Sequence, residues 1–159
     1  MNNEEEMGKV SGLLSEALPA GAVKAAYLNE LSQQMPTLEL EADSWLEAAK
    51  LLKQHDMLGY HYLRNISGVD YETHMEVVYH LLSMQSGHTL AVKVAVSREE
   101  PSLPSVSAVW SAANWNEREI YDLLGIQFRE HPDLRRIMMP DDWVGYPLRK
   151  DYKPLDWEV

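Results

Sequence analysis

The residues able to do chemistry crowd into one stretch of the chain. Glu117-Arg118-Glu119 leads into Tyr121-Asp122. His131-Pro132-Asp133 leads into Arg135-Arg136. Trp143 and Tyr146 precede Arg149-Lys150-Asp151-Tyr152. Seven of the fourteen lysines and arginines lie between residues 117 and 153, beside eight acids. His131 and Asp133, two apart, could act as acid and base. The same His-Pro step favours a turn, and Asp133 suits a cap, so the structural use ranks ahead. Arg135 and Arg136 carry planar forks that clamp carboxylates or phosphates. Pairing with acids of this chain or of a partner fits them better. Trp143, Tyr146, Tyr152 and Trp157, with Arg149, are residue types favoured at interface hot spots.

Other chemistries are poorly supported. The histidines at 55, 61, 74, 80, 88 and 131 show no i,i+4 pairing and no tight acid cluster, so a metal site is not expected from them. The glycines form neither a P-loop nor a G-x-G-x-x-G pattern, and no G-x-S-x-G elbow is present. The chain has no cysteine, which removes disulfides and thiolate-held zinc or iron–sulfur centres. A net charge of −11 disfavours nucleic acid and anionic membrane surfaces as partners. No run approaches the ~20 apolar residues of a membrane span. The expectation is a soluble chain on the cytosolic side, linked to a membrane only indirectly.

The elements that must position these residues follow from periodicity. With 159 residues, one domain is the default. Residues 4–18 read as a short helix with Val10, Leu13, Leu14 and Leu18 on one side. Residues 22–28 are either strand or connector. Residues 37–41 alternate as a strand. Ser44 then opens a helix, with Glu47 completing a capping box and Trp45, Ala48, Ala49 and Leu52 facing the core. Residues 60–66, 75–84 and 89–97 read as three strands in an antiparallel meander. Ser105 suits the cap of a helix carrying Val106, Val109 and Trp110. Asn114 and Glu117 suit the start of the next helix, which Gly125 ends.

On that last helix Ile120, Leu123 and Leu124 form the apolar side, and Glu117 projects with them. Glu117 either caps the first turn or pairs with Arg135 or Arg136. Arg118, Glu119 and Asp122 face away, with Arg118 and Asp122 as an i,i+4 pair. The fold class is α+β, an antiparallel meander sheet with helices on one face, plus an extended non-periodic C-terminal segment. The expected divisions are an N-terminal helical or connector segment (1–35), the α+β domain (36–128) and a partner-binding tail (129–159). So long a non-periodic tail needs something to lie on.

Two motifs carry a family resemblance. The first is Glu117-Arg118-Glu119-Ile120-Tyr121-Asp122-Leu123-Leu124-Gly125-Ile126-Gln127-Phe128, followed by His131-Pro132-Asp133-Leu134-Arg135-Arg136-Ile137. The second is Gly145-Tyr146-Pro147-Leu148-Arg149-Lys150-Asp151-Tyr152. In this order they resemble the thirty-kilodalton subunit of respiratory complex I. Bacterial NADH–quinone oxidoreductase calls it the C-type subunit, and plastid and cyanobacterial complexes the J-type. The resemblance runs from about residue 40. Leu124, Glu130 and Tyr146 depart from the usual pattern, Tyr146 standing where histidine is frequent.

The resemblance implies a non-catalytic subunit of the peripheral arm, peripheral to the cytoplasmic side of the cell membrane. It implies packing on the forty-nine-kilodalton (D-type) subunit and its neighbours, with electron transfer from NADH to quinone coupled to proton translocation in the assembled complex. FMN, iron–sulfur clusters and quinone would sit on other subunits, with no cofactor or metal on this chain. The implied interface is Glu117, Arg118, Glu119, Tyr121, Asp122, His131, Asp133, Arg135, Arg136, Trp143, Tyr146, Arg149, Lys150, Asp151 and Tyr152. An equivalent subunit of a membrane-bound hydrogenase or formate hydrogenlyase is the alternative assembly. A free-standing hydrolase using His131 and Asp133 is the remote one.

Overall fold

The computed structural model describes residues 1–154, so Trp157 lies outside the described residues. A five-stranded sheet forms the frame: β1 (Val23–Asn29), β2 (Met35–Leu40), β3 (Tyr62–Asp70), β4 (Met75–Leu82) and β5 (Thr89–Val96). Its order is β1-β2-β5-β4-β3. The meander β3-β4-β5 is antiparallel, as the short connections require. β2 joins β5 in parallel, Thr37 opposite Ala91 and Leu40 opposite Val94. That pairing needs the long crossover through α2 (Trp45–Gln54), β3 and β4, and no local signal announces it.

Strand alternation assigns the two faces. Leu38, Leu40, Val77, Tyr79, Val92 and Val94 point inward and are all essentially buried. Helix α1 (Asn3–Ala17) covers them with Val10 and Leu14, and α2 with Trp45, Ala48, Ala49 and Leu52. Each large side chain among these contributes about 1.5–3 kcal/mol by leaving water. Trp45 lies 4.6 Å from the Tyr79 ring and 6.1 Å from that of Trp110, at the centre of the core. Residues 1–35 are built into this domain: β1 pairs along β2, and Met7, Val10 and Leu14 of α1 enter the same core. The Tyr60 hydroxyl donates to buried Glu6 at 2.7 Å, tying α1 to the approach to β3.

Three expected caps differ. A 3-10 turn at Ala42–Ser44 feeds α2, so Ser44 is already helical and makes no side-chain cap; Glu47 pairs with Lys50 instead. Residues 105–110 make turns rather than a helix, because Val109 and Trp110 both donate to the Val106 carbonyl and the ladder stops there. Helix α3 (Ala113–Leu124) starts at Ala112 without a side-chain cap. Gly125 does end it, at φ 75°. A Cβ there would meet the Tyr146 ring at 2.6 Å, so glycine is required twice over.

Beyond α3 the chain pairs with an earlier segment: β6 (Ser102–Pro104) lies parallel to β7 (Gln127–Arg129), a ladder too short to show in periodicity. Turns follow, and they lie on the domain itself.

Candidate functional site

Helix α3 sits against β3 where Gly68 permits close approach. A Cβ on Gly68 would come within 2.5 Å of Leu124 Cδ1. Ile120 and Leu124 fill that contact, as the apolar stripe predicts. The opposite side of α3 is not free. The C-terminal segment crosses it, and Asp122 and Arg118 are buried beneath.

Asp122 is the main anchor. Its Oδ2 accepts from three successive backbone N–H groups, those of Ile137 (3.1 Å), Met138 (2.6 Å) and Met139 (2.9 Å). Its Oδ1 accepts from Arg136 at 2.9 Å. Burial works against ionisation here, but these donors together outweigh it and hold the carboxyl below its ordinary range. Arg136 also donates to the carbonyls of Asp122 and Gly145, at 2.9 Å each. The expected Arg118–Asp122 pair therefore does not form. Arg118 instead lies 4.6 Å over the Trp115 ring, and its Nε is 3.4 Å from the Arg135 carbonyl.

A second anchor holds the far end. Asp70, at the end of β3, takes a bidentate pair from Arg98 at 2.8 and 2.9 Å. It also accepts from the backbone of Lys150 at 2.9 Å and of Glu72 at 2.8 Å. The Arg98 guanidinium, helped by those N–H groups, holds Asp70 far below the usual carboxylate range. Between the anchors, Arg136 and Arg149 lie over the Tyr146 ring at 5.0 and 4.8 Å. Arg149 Nε donates to the Leu124 carbonyl at 2.7 Å, and Leu148 N–H to that of Leu123 at 2.9 Å. Both satisfy orphan carbonyls at the end of α3.

Glu117 neither caps α3 nor pairs with an arginine. It is fully buried and accepts from Ser105 Oγ at 2.6 Å and Val106 N at 2.8 Å. Burial pushes its carboxyl up from 4.5 to about 7, partly offset by those two donors. His131, its side chain wholly buried, donates from Nε2 to the Asn114 carbonyl at 3.0 Å and accepts at Nδ1 from Asp133 N–H at 3.0 Å. The Asp133 carboxylate faces outward to Arg135 at 2.8 Å. His131 and Asp133 thus make a turn, not an acid–base pair aimed at a cleft.

The fifteen expected interface residues divide by exposure. Glu117, Arg118 and Asp122 are buried; Arg136, Tyr146, Arg149, Tyr121 and Tyr152 are half-buried; the His131 side chain is buried. Glu119, Asp133, Arg135, Trp143, Lys150 and Asp151 are exposed. Their exposed neighbours include Trp115, Met138, Val144 and Leu148, 57–85% accessible. Sequence reasoning missed Asp70, Arg98, Ser105 and Gly68. Nothing local in the sequence links Asp70 to Arg98 or Lys150. Among the described residues, no group of three or more His, Asp and Glu is placed to share a metal ion. None of their helices is long and apolar enough to cross a membrane.

Residues 38–157 match the family described as respiratory-chain NADH dehydrogenase, 30 Kd subunit. The chain belongs to that family. The C-type subunit of NADH-quinone oxidoreductase from Chlorobium phaeobacteroides is 48% identical over 136 residues, covering 83% of this chain and 80% of that protein. The protein of the same description from Chloroherpeton thalassium is 47% identical over 75% of this chain but 51% of its own length. Among solved structures, the trypsin-resistant fragment of Nqo5 superposes with TM-score 0.62 at 30% identity, covering 84% of this chain and all of the fragment. A chain of an archaeal membrane-bound sulfane sulfur reductase reaches TM-score 0.74 at 22% identity, over 92% of this chain and 85% of that one; this likeness is one of fold.

Proposed function

We propose that this family member is a non-catalytic peripheral-arm subunit of an NADH–quinone oxidoreductase. It docks on the D-type subunit through α3 and the segment after Phe128. FMN, iron–sulfur clusters and quinone belong to its neighbours, and the assembly lies on the cytoplasmic side of the membrane. Electron transfer from NADH to quinone, with proton translocation, is then a property of the whole.

One observation carries this reading: the C-terminal segment is inside out. Two of its arginines turn inward, Arg136 onto Asp122 and Arg149 onto the Leu124 carbonyl. Several of its apolar side chains turn outward, among them Val144 at 85% and Leu148 at 60% accessible. Water disfavours that arrangement and a protein partner favours it. Exposed Asp141 and Asp142 directly precede Trp143 and Val144, so a basic group on the partner opposite them suits it.

The test is co-purification with the D-type subunit of the same organism. Trp143→Ala combined with Val144→Ser should weaken recovery about tenfold, as loss of a hot spot does. Unchanged recovery counts against the interface. Replacing Arg135 and Arg136 together with Ala should also weaken it, and the single variants separate the causes. Arg136→Ala acts by loosening the segment, Arg135→Ala by removing an exposed charge. The hydrogenase-type assembly predicts instead co-purification of a nickel-binding large subunit.

A further inference from the structure

The fully buried Glu117 carboxyl is not used by the docking surface. Three parts of the fold face it. From the 105–107 turn come Ser105 Oγ and Val106 N–H. From the segment after β7 comes His131, whose Nε2 is 3.8 Å from Oε2. From β4 comes the phenol of Tyr79, already pushed up by burial and pushed further by the Glu117 charge, with Trp45 of α2 beside it. Among the described residues no lysine or arginine forms an ion pair with Glu117. The His131 ring offers no spare donor, because Nδ1 accepts from Asp133 and the Nε2 proton goes to Asn114. A carboxylate buried with two neutral donors and no cation is driven towards its protonated form.

That proton has a route. Ser105 Oγ, 2.6 Å from Glu117 Oε2, is also 2.9 Å from Ser107 Oγ, and Ser107 N–H at 3.2 Å helps hold Ser105 in line. Ser105 and Ser107 both line an open cleft of about 470 Å³ with Leu46, Lys50 and Arg129. We propose that Glu117 is a buried proton-binding site, loaded from this cleft through the Ser107–Ser105 hydroxyl relay and closed on its far side by His131. A hydronium ion in the cleft gives its proton to Ser107 Oγ and leaves as water. Ser107 passes its own proton to Ser105 Oγ, and Ser105 passes its proton to Glu117 Oε2. Rotation of the two hydroxyls resets the relay. Release runs the same steps backwards.

The site needs no partner subunit to operate, so its failure and that of the docking reading are separate outcomes. Carbon-13 NMR of the full chain, labelled at glutamate, reads it directly. Through-bond correlation to the backbone assigns the Glu117 carboxyl without any variant. Its titration midpoint is expected at about 7, far from the ordinary 4.5. Ser105→Ala removes a donor that favours the charged form, so the midpoint should move up. Ser107→Ala should leave the midpoint in place and slow proton exchange at that carboxyl, seen as separate signals for the two forms. A midpoint near 4.5 overturns the site. An unchanged exchange rate in Ser107→Ala overturns the relay.

Discussion

Glu117 and Asp122 stand on one helix, both carboxyls fully buried, and the fold treats them in opposite ways. Asp122 receives three backbone N–H groups and a guanidinium, and is held ionised. Glu117 receives one hydroxyl and one N–H, and is pushed towards its neutral form. Neither carboxyl touches water, but Glu117 lies deeper, so depth and donors together decide. Asp122 lies under the C-terminal segment, whose backbone has no sheet or helix of its own to satisfy it. Glu117 lies under the 105–107 turn, which offers little. The first acid organises a segment; the second holds a proton.

The sharpest way to break this contrast is to remove Asp122. Asp122→Ala leaves half-buried Arg136 without its carboxylate partner and three N–H groups without an acceptor. The expected loss is about 3–5 kcal/mol in chemical denaturation. Hydrogen exchange at Ile137–Met139 should rise even under conditions where the rest of the domain stays folded. Arg136→Ala should lose a comparable amount. The double variant should lose much less than the sum, since neither charge then remains to be orphaned. Strict additivity would show that the two groups do not form one unit.

Both acids depend on how α3 is seated, and that seat was only half legible. The apolar stripe Ile120, Leu123, Leu124 and the stop at Gly125 could be read from spacing. So could the strands β4 and β5, whose inward faces alternate. Gly68 could not, because its role comes from Leu124, far along the chain on another element. Gly68→Ala forces a methyl to 2.5 Å from Leu124 Cδ1. It should cost about 1–3 kcal/mol, measured by urea unfolding. The same limit explains the site. Periodicity marked Asp122 as solvent-facing because a helix viewed alone has an outside. It became inside when Arg136 and Ile137–Met139 folded back, a long-range event with no local signature. Glu117 was recognised as an acid on an apolar side, but its partners Ser105 and Val106 precede it in a turn that looked like a helix start. The parallel pairing of β2 with β5 escaped for a like reason, as local pattern gives a strand's faces and not its neighbours.

The two acids should also respond to pH with opposite signs. Glu117 has a raised value when folded, so the native state keeps a proton that the unfolded chain releases. Its contribution is fully present below about 4.5 and is lost as pH rises through about 7. Asp122 and Asp70 are held low, so theirs is present above the ordinary carboxylate range and is lost as acid protonates them. Glu117→Gln keeps an acceptor for Val106 and a hydrogen-bonding group for Ser105 without titrating. Stability measured from about pH 5 to 7 should therefore differ in slope between the two proteins by up to about 1.4 kcal/mol per pH unit. The wild type should be the one that loses stability as pH rises. Parallel curves would mean that Glu117 carries its charge across that range.

The smallest effect on stability is expected where the segment faces outward, and there a null result is informative. Val144 is 85% accessible, and among the described residues Arg135 forms its ion pair with exposed Asp133. Val144→Ser should change unfolding free energy by no more than about 0.5 kcal/mol, and Arg135→Ala should leave it essentially unchanged. If so, the outer surface is free of any duty to the fold, and its apolar character needs another cause. Binding measured on the same variants then isolates the partner, because the anchors at Asp122 and Asp70 stay intact. A drop in stability well beyond that size would mean that the segment packs its apolar side chains on its own domain in solution. The inside-out reading would then fail at its root, however strongly the variants also lost the partner.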